Sequence, residues 1–97
     1  MRQDMLRGFL DTEGRLTRFP AKRKKQLAAL QYLAEKFTSG RVYTEREVNE
    51  VLLNWHTFRD PATLRRELYD FHFLNRTPDG RAYELAEPQP MPEELGL

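Results

Sequence analysis

Residues 60–85 read DPATLRRELYDFHFLNRTPDGRAYEL, and the signals in this stretch decide the fold. Asp60 can accept hydrogen bonds from the free amides of a helix start, and Pro61 suits the first helical turn, so a helix is predicted over residues 61–72. Its inward face consists of large apolar residues at helical spacing: Leu64, Leu68 and Phe71. Two short strand-like runs then flank a Pro-Asp-Gly turn, which predicts a β-hairpin over residues 73–85.

Two amphipathic helices are predicted before this unit. The apolar residues of 22–38 recur at the spacing of one buried helix face: Leu27, Leu30, Leu33, Ala34 and Phe37. Thr44 and Glu47 have the spacing of a capping box, which starts a second helix over residues 45–56. The apolar face of this second helix comprises Val48, Val51, Leu52 and Trp55.

The segments around these helices are expected to be short. Gly40 can take the left-handed conformation that ends a helix, and the RVY run after it is expected to be extended with Val42 inward. The first ten residues show helical spacing of apolar side chains and predict a short helix. Leu16 and Phe19 are expected to anchor an extended link to the next helix.

The order helix, short strand, helix, helix and β-hairpin is that of a winged helix-turn-helix, in which a hairpin closes a three-helix core and the third helix lies outward. We therefore predict an α+β, mainly α, winged helix-turn-helix-like domain over residues 15–86, preceded by a helix and link over 1–14. A plain three-helix bundle would leave the hairpin without a role. Residues 87–97 are rich in proline and glutamate and are expected to form a flexible acidic tail.

Length and composition exclude several classes of protein. The 97 residues suffice for one modest core, and the absence of cysteine removes disulfides, thiolate catalysis and cysteine metal sites. No apolar run reaches the roughly 18 residues of a membrane span, and the first residues lack the apolar segment of a secretory signal. A cytoplasmic protein without membrane contact is expected.

The formal net charge of +1 hides an uneven distribution. Residues 14–46 contain nine basic residues against two acidic ones, whereas residues 84–97 contain four glutamates and no basic residue. The run KRKK at 22–25 lies at a helix start, where the helix dipole disfavours positive charge. Its charges therefore indicate an anionic partner, which can be a phosphate backbone, an acidic protein or the acidic tail of the chain itself.

The outward side of the helix over 61–72 is the first candidate site. A helical wheel turns Arg66 and Tyr69 outward with Thr63 and Arg65 on the flanks, and such groups contact base edges and phosphates in a major groove. The hairpin adds arginines on either side of its turn, suited to the DNA backbone or the minor groove. The predicted nucleic-acid contacts are Lys22, Arg23, Lys24, Lys25, Arg41, Thr63, Arg65, Arg66, Tyr69, Arg76 and Arg81.

Three other interpretations stay open beside nucleic-acid binding. The charged helix face can be merely solvated, or it can bind an acidic protein partner. Tyr32 and Leu53 fall on the polar sides of their helices and, if contiguous, would favour a homodimer.

Catalysis and cofactors are not expected. His56 and His72 lie near helix ends without a carboxylate or second histidine at ligand spacing, so structural roles are favoured. The five scattered glycines form no phosphate-binding loop. No metal site, cofactor or enzymatic activity is predicted.

The motifs KRKK, YTEREVN, LRREL followed by LNRT, and DG before an aromatic residue resemble the bacterial family DUF2087 over roughly residues 16–85. The domain also occurs attached to helix-turn-helix regulator domains in longer proteins. The resemblance implies an association with transcriptional regulation and no established enzymatic activity or ligand. The positions that match its motifs are Tyr43, Thr44, Glu47, Asn49, Arg65 and Arg66, although capping and a buried hydrogen bond also account for Glu47 and Asn49.

Overall fold

Helices and strands follow one another in the predicted order in the computed structural model, which describes residues 2–91. The elements are α1 (Arg2–Met5), α2 (Arg23–Ala34), β1 (Tyr43–Thr44), α3 (Glu45–Leu53), α4 (Pro61–Asp70), β2 (Leu74–Arg76) and β3 (Ala82–Leu85). The strands form one antiparallel sheet in the order β1-β3-β2, which places Tyr43 and Arg76 on either side of Tyr83. The predicted α+β, mainly helical class is confirmed, and the winged-helix assignment stays a prediction.

The starts of α3 and α4 form as their local sequences predict. The Thr44 hydroxyl accepts a hydrogen bond from the Glu47 amide at 3.1 Å, and the Glu47 carboxylate accepts one from the Thr44 amide at 2.9 Å, which completes the capping box. At α4 the Asp60 carboxylate accepts from the Thr63 amide at 3.2 Å, with Pro61 in the first turn. Each helix start thus satisfies amides that have no partner within the helix.

The core lies between the three long helices and the sheet. Its fully buried side chains include Leu16, Leu30, Leu33, Leu52, Leu64, Leu68 and Phe73. The predicted anchoring role of Leu16 is confirmed, because its amide donates to the Trp55 carbonyl at 2.8 Å and its carbonyl accepts from the Thr57 amide at 2.9 Å. The link before α2 is therefore tied to the end of α3.

His56 has a structural role between α3 and α4. The ring is buried, its Nδ1 lies 2.6 Å from the Leu52 carbonyl oxygen, and its Nε2 accepts from the Asp60 amide at 2.9 Å. Because Nε2 accepts, the proton is on Nδ1 and is donated to Leu52. One imidazole thereby joins the last turn of α3 to the cap of α4.

All three long helices are shorter than predicted. The Lys36 and Phe37 amides bond to carbonyls three residues back, and so does the Trp55 amide, so α2 and α3 tighten and end at Ala34 and Leu53. The first helix is likewise confined to Arg2–Met5. The apolar residues beyond these ends keep the predicted burial without helical geometry, as the buried Phe37 shows.

The end of α4 corrects the predicted inward face. The Phe73 amide donates to the Leu68 carbonyl at 2.8 Å and the His72 amide to the Tyr69 carbonyl at 3.0 Å, the two bonds of a Schellman motif with His72 at φ +67°. The helix therefore stops at Asp70. Phe71 is only partly buried, and Phe73 takes the fully buried core position instead.

Two further side-chain positions differ from the prediction. Val42 is 60% exposed and Tyr43 is buried, because β1 begins at Tyr43 and this residue faces the core. Tyr32 is half-buried: its hydroxyl donates to the Gly14 carbonyl at 2.7 Å and its ring packs edge-on against Trp55. Of Tyr32 and Leu53, Leu53 alone is exposed to solvent as expected, at 49%. The two residues therefore do not form the exposed apolar pair that favoured a homodimer.

The chain after the hairpin packs back on the domain as far as the structure describes it. The Gln89 side-chain amide donates to the Phe73 carbonyl at 2.9 Å and to the Ala86 carbonyl at 2.7 Å. The rest of the predicted acidic tail, residues 92–97, lies outside the described residues. Within residues 2–91, no helix is both long and apolar enough to span a bilayer.

The Asp60 cap makes a testable contribution to acid stability. Hydrogen bonds from Thr63 lower the pKa of Asp60 below its ordinary value of 3.8. Because the folded pKa is depressed, the stabilisation is complete above pH 3.8 and is lost as the pH falls toward the folded value. Asp60→Asn keeps a capping oxygen but cannot titrate, so its urea midpoint should fall less steeply than that of the wild type below about pH 4.

Asp60→Ala serves as the control for this measurement. It removes both the cap and the titration, so its midpoint should be lower than the wild-type midpoint at pH 7 and the difference should shrink on acidification. Parallel pH profiles for the wild type and Asp60→Asn would contradict the assignment.

Candidate nucleic-acid interface

An open groove of about 490 Å³ runs between α4 and the hairpin. It is lined by Ala62, Thr63, Arg65, Arg66, Tyr69, Asp70, Arg76 and Tyr83. Five of the predicted contact residues therefore meet at one surface, because the turn after α4 returns the chain as β2 alongside the helix. These five are Thr63, Arg65, Arg66, Tyr69 and Arg76.

Arg76 is held in place by two tyrosines. Its guanidinium carbon lies 4.1 Å from the centre of the Tyr69 ring, a cation–π contact that joins β2 to α4. The side chain of Tyr83, its direct neighbour across the hairpin, and then that of Tyr69 favour the charged form and raise the pKa of Arg76 above its ordinary value. The guanidinium is thus a fixed positive charge at the hairpin side of the groove.

Arg65 and Arg66 are adjacent in sequence but differ in environment. The Arg65 side chain is 17% exposed; its guanidinium donates a short hydrogen bond to the Asn49 side-chain oxygen and lies 3.5 Å from Glu45. These contacts fasten α4 to α3, so Arg65 lies on the flank of α4, as predicted, with its guanidinium engaged by α3. Asn49 thereby has a hydrogen-bonding partner, as a structural role predicts.

Arg66 is the solvent-exposed arginine of α4. Its side chain is 82% exposed and lies 3.7 Å from Asp70, one helical turn further on. Surface pairs of this kind are weak and exchange readily with other partners. Arg66 is therefore free to reorient toward an anion in the groove.

The remaining predicted residues lie outside the groove. Arg41 stacks on the Tyr43 ring at 4.6 Å and lies 3.5 Å from Glu47, while Arg81 lies 3.8 Å from Asp79 at the hairpin tip. Asp79 accepts hydrogen bonds from the Thr77 hydroxyl and the Arg81 amide, which lower its pKa and keep a negative charge at this tip. Residues 22–25 surround the start of α2 and do not line the groove.

Sequence reasoning missed Tyr83, the groove residue that positions Arg76. The hairpin itself was predicted, and pairing its two strands would have set Arg76 opposite Tyr83. Burial of alternate residues in β3 would then have turned Tyr83 inward. No cluster of three potential metal ligands occurs in the part of the chain that the structure describes.

Fold and groove together define a small α+β domain with an arginine- and tyrosine-lined surface beside its last helix. A family model described as "Uncharacterized protein conserved in bacteria (DUF2087)" matches residues 15–85, and the chain belongs to this family. Comparisons with curated proteins and with solved structures found no match.

The different environments of the two arginines predict different effects on stability. Arg65→Ala should lower the free energy of unfolding by about 1 to 2 kcal/mol, because hydrogen bonds to charged groups contribute on this scale and Asn49 loses its partner. Arg66→Ala should leave that free energy nearly unchanged, since its ion pair is exposed. Urea denaturation of both variants at pH 7 checks this, and equal losses would contradict the structural role of Arg65.

Proposed function

We propose that the chain is a winged helix-turn-helix protein that binds duplex DNA in bacterial transcriptional regulation, with α4 as the recognition helix and β2–β3 as the wing. Helices α2, α3 and α4 supply the three helices of such a domain, and the hairpin follows the third. This role corresponds to a cytoplasmic protein. No catalytic step belongs to the proposal.

The observation that carries the proposal is the convergence of Thr63, Arg66, Tyr69 and Arg76 on one open groove. A hydroxyl and arginines are groups that bind phosphate oxygens and base edges, and an arginine can bind guanine in bidentate fashion. Arg66 is mobile enough to adapt to a base pair, whereas Arg76 is fixed by aromatic stacking. The groove therefore offers both an adaptable and a preorganised cation.

The dimensions of α4 agree with groove recognition. An α-helix with its side chains is about 10 to 12 Å in diameter, and the major groove of B-DNA is about 12 Å wide, so the 10-residue α4 can enter it. Leu64 and Leu68 are fully buried on the opposite side, so the helix can present its polar side without losing core contacts. The hairpin lies beside this polar side and can follow the flanking backbone.

Fluorescence anisotropy with a generic labelled duplex tests the function. Binding should be measurable at about 50 mM salt, with a dissociation constant of about 10⁻⁴ to 10⁻⁶ M or tighter, and should fall steeply as salt rises. Absence of binding under these conditions would reject the proposal and leave an acidic protein as the partner to test.

Arg66→Ala and Arg7→Ala form a matched pair for locating the interface. Both residues are strongly exposed, at 82% and 85%, and both pair with an aspartate of the same segment, at 3.7 and 3.5 Å. On a duplex selected for tight binding, Arg66→Ala should weaken binding at least about fivefold, the lower range for loss of one arginine–base contact. Arg7→Ala should weaken it much less, and equal losses would remove α4 from the interface.

Substitutions of Tyr69 test the positioning of Arg76. Tyr69→Leu removes the ring beneath the guanidinium without changing net charge, and binding should weaken by about two- to fivefold, the range of an exposed cation–π contact. Tyr69→Phe keeps the ring and should bind nearly as the wild type does. A loss in Tyr69→Phe as large as in Tyr69→Leu would show that the hydroxyl, rather than the stacking surface, is what matters.

A further inference from the structure

Five basic side chains outside the groove lie at or shortly before the start of α2. We call this set the basic surface, and it consists of Arg18, Lys22, Arg23, Lys24 and Lys25. None of the five forms an ion pair with any residue between 4 and 91. In contrast, the arginines at positions 7, 15, 41, 65, 66 and 81 each have a carboxylate oxygen within 4 Å. The basic surface is thus uncompensated charge, whereas six of the nine arginines at other positions between 4 and 91 lie within 4 Å of a carboxylate oxygen.

Aromatic rings organise this surface. The Arg18 guanidinium carbon lies 4.4 Å and the Lys25 ammonium 5.5 Å from the centre of the Phe9 ring, and Arg23 lies 4.6 Å from that of Phe71. A shallow cavity of about 300 Å³ lies among the residues around Phe9, which include Phe19 and Lys22. Stacking leaves the donor edges of the two guanidiniums available, so the charges are partly ordered and still open to a ligand.

The chemistry of the surface fits a phosphate backbone better than a polypeptide. A protein interface usually has a central aromatic or aliphatic anchor, but Phe9 is buried and Phe71 is covered by Arg23. What the surface offers is charge of one sign. Polyphosphate binding needs little else, because it is driven by the release of counterions.

The basic surface adjoins the end of the recognition helix. Phe71, beneath Arg23, is the residue that follows the last turn of α4, whereas the groove is lined by α4 residues 62 to 70. A duplex lying along α4 and extending past its C-terminal end would bring its flanking phosphates toward Arg23.

We infer that the basic surface is a second, sequence-independent DNA contact that binds the phosphate backbone beyond the end of α4. The inference rests on the proposed function. It adds a division between a groove that contacts base edges and a surface that contacts only phosphates. It also adds Arg18, which stacks on the buried Phe9 ring and was not predicted from the motif at 22–25, to the interface.

Lys22→Gln/Lys24→Gln tests this inference, because both side chains are exposed and neither takes part in the aromatic contacts above. Each phosphate contact contributes about 0.9 to the slope of log K against log salt. The wild type should bind more tightly than the variant at low salt. If two contacts are lost, the ratio of the two association constants should be roughly tenfold smaller at about 200 mM salt than at about 50 mM. The loss should be the same for random and selected duplexes.

Two controls distinguish this contact from a change in folding or in overall charge. Removing positive charge from a helix start should leave the thermal midpoint of the double variant unchanged or slightly higher, so weaker DNA binding cannot come from lost structure. Lys36→Gln removes a cation near the other end of α2, where the ammonium stacks on Trp55 at 4.0 Å, and should leave the salt slope unchanged.

The outcomes separate this inference from the proposed function. DNA binding by the wild type with an unchanged slope in Lys22→Gln/Lys24→Gln would overturn the second contact and leave the groove intact. A slope reduced equally by Lys36→Gln would also overturn it, since the effect would then reflect net charge. No DNA binding by the wild type would overturn both proposals.

Discussion

The turn that ends α4 sets the geometry on which the groove depends. The Phe73 amide bonds back to the Leu68 carbonyl while the Phe73 side chain enters the core, completely buried. These two contacts reverse the chain within three residues and start β2 at Leu74, beside the helix that it has just left. His72 takes a left-handed backbone conformation there, which burial of Phe73 offsets. Without this reversal, Arg76 would not lie over Tyr69.

The start of α4 is held as firmly as its end. His56 joins the last turn of α3 to the Asp60 amide, and Asp60 in turn caps α4. Arg65 adds a third connection through Asn49. Helix α4 is therefore attached to α3 at its start and near its middle, and these contacts fix the orientation of its polar side. Rigidity of this kind would lower the entropy cost of the proposed DNA binding, because fewer groups would become ordered in the complex.

The parts of the fold that sequence could predict are those specified by near neighbours. The capping box at Thr44 and Glu47 and the cap at Asp60 each involve residues three apart. A few consecutive residues are therefore enough to predict these helix starts. Val42 was assigned inward in error, since in so short a strand a shift of one residue exchanges the two faces. The contact of Arg65 with α3 was not predicted, because its partner Asn49 is 16 residues away, beyond the reach of a helical wheel.

The candidate site shows the same limit in its electrostatics. The sequence places arginines and carboxylates close together but does not tell which pairs form, and the pairs decide where free positive charge remains. In the groove, Asp70 lies beside Arg66 and Glu45 beside Arg65, so two of its three arginines are offset by carboxylates and the recognition we propose there would depend on the placement of donors.

At the basic surface no carboxylate of residues 4 to 91 pairs with the cations, so its field extends further into solvent. In the proposed complex, affinity for any duplex would come mainly from that surface and discrimination between sequences mainly from the groove. Phosphate contacts position a protein and base contacts give it specificity. In the proposed complex the groove along α4 would supply the base contacts, and the basic surface beyond the C-terminal end of α4 would supply the phosphate contacts.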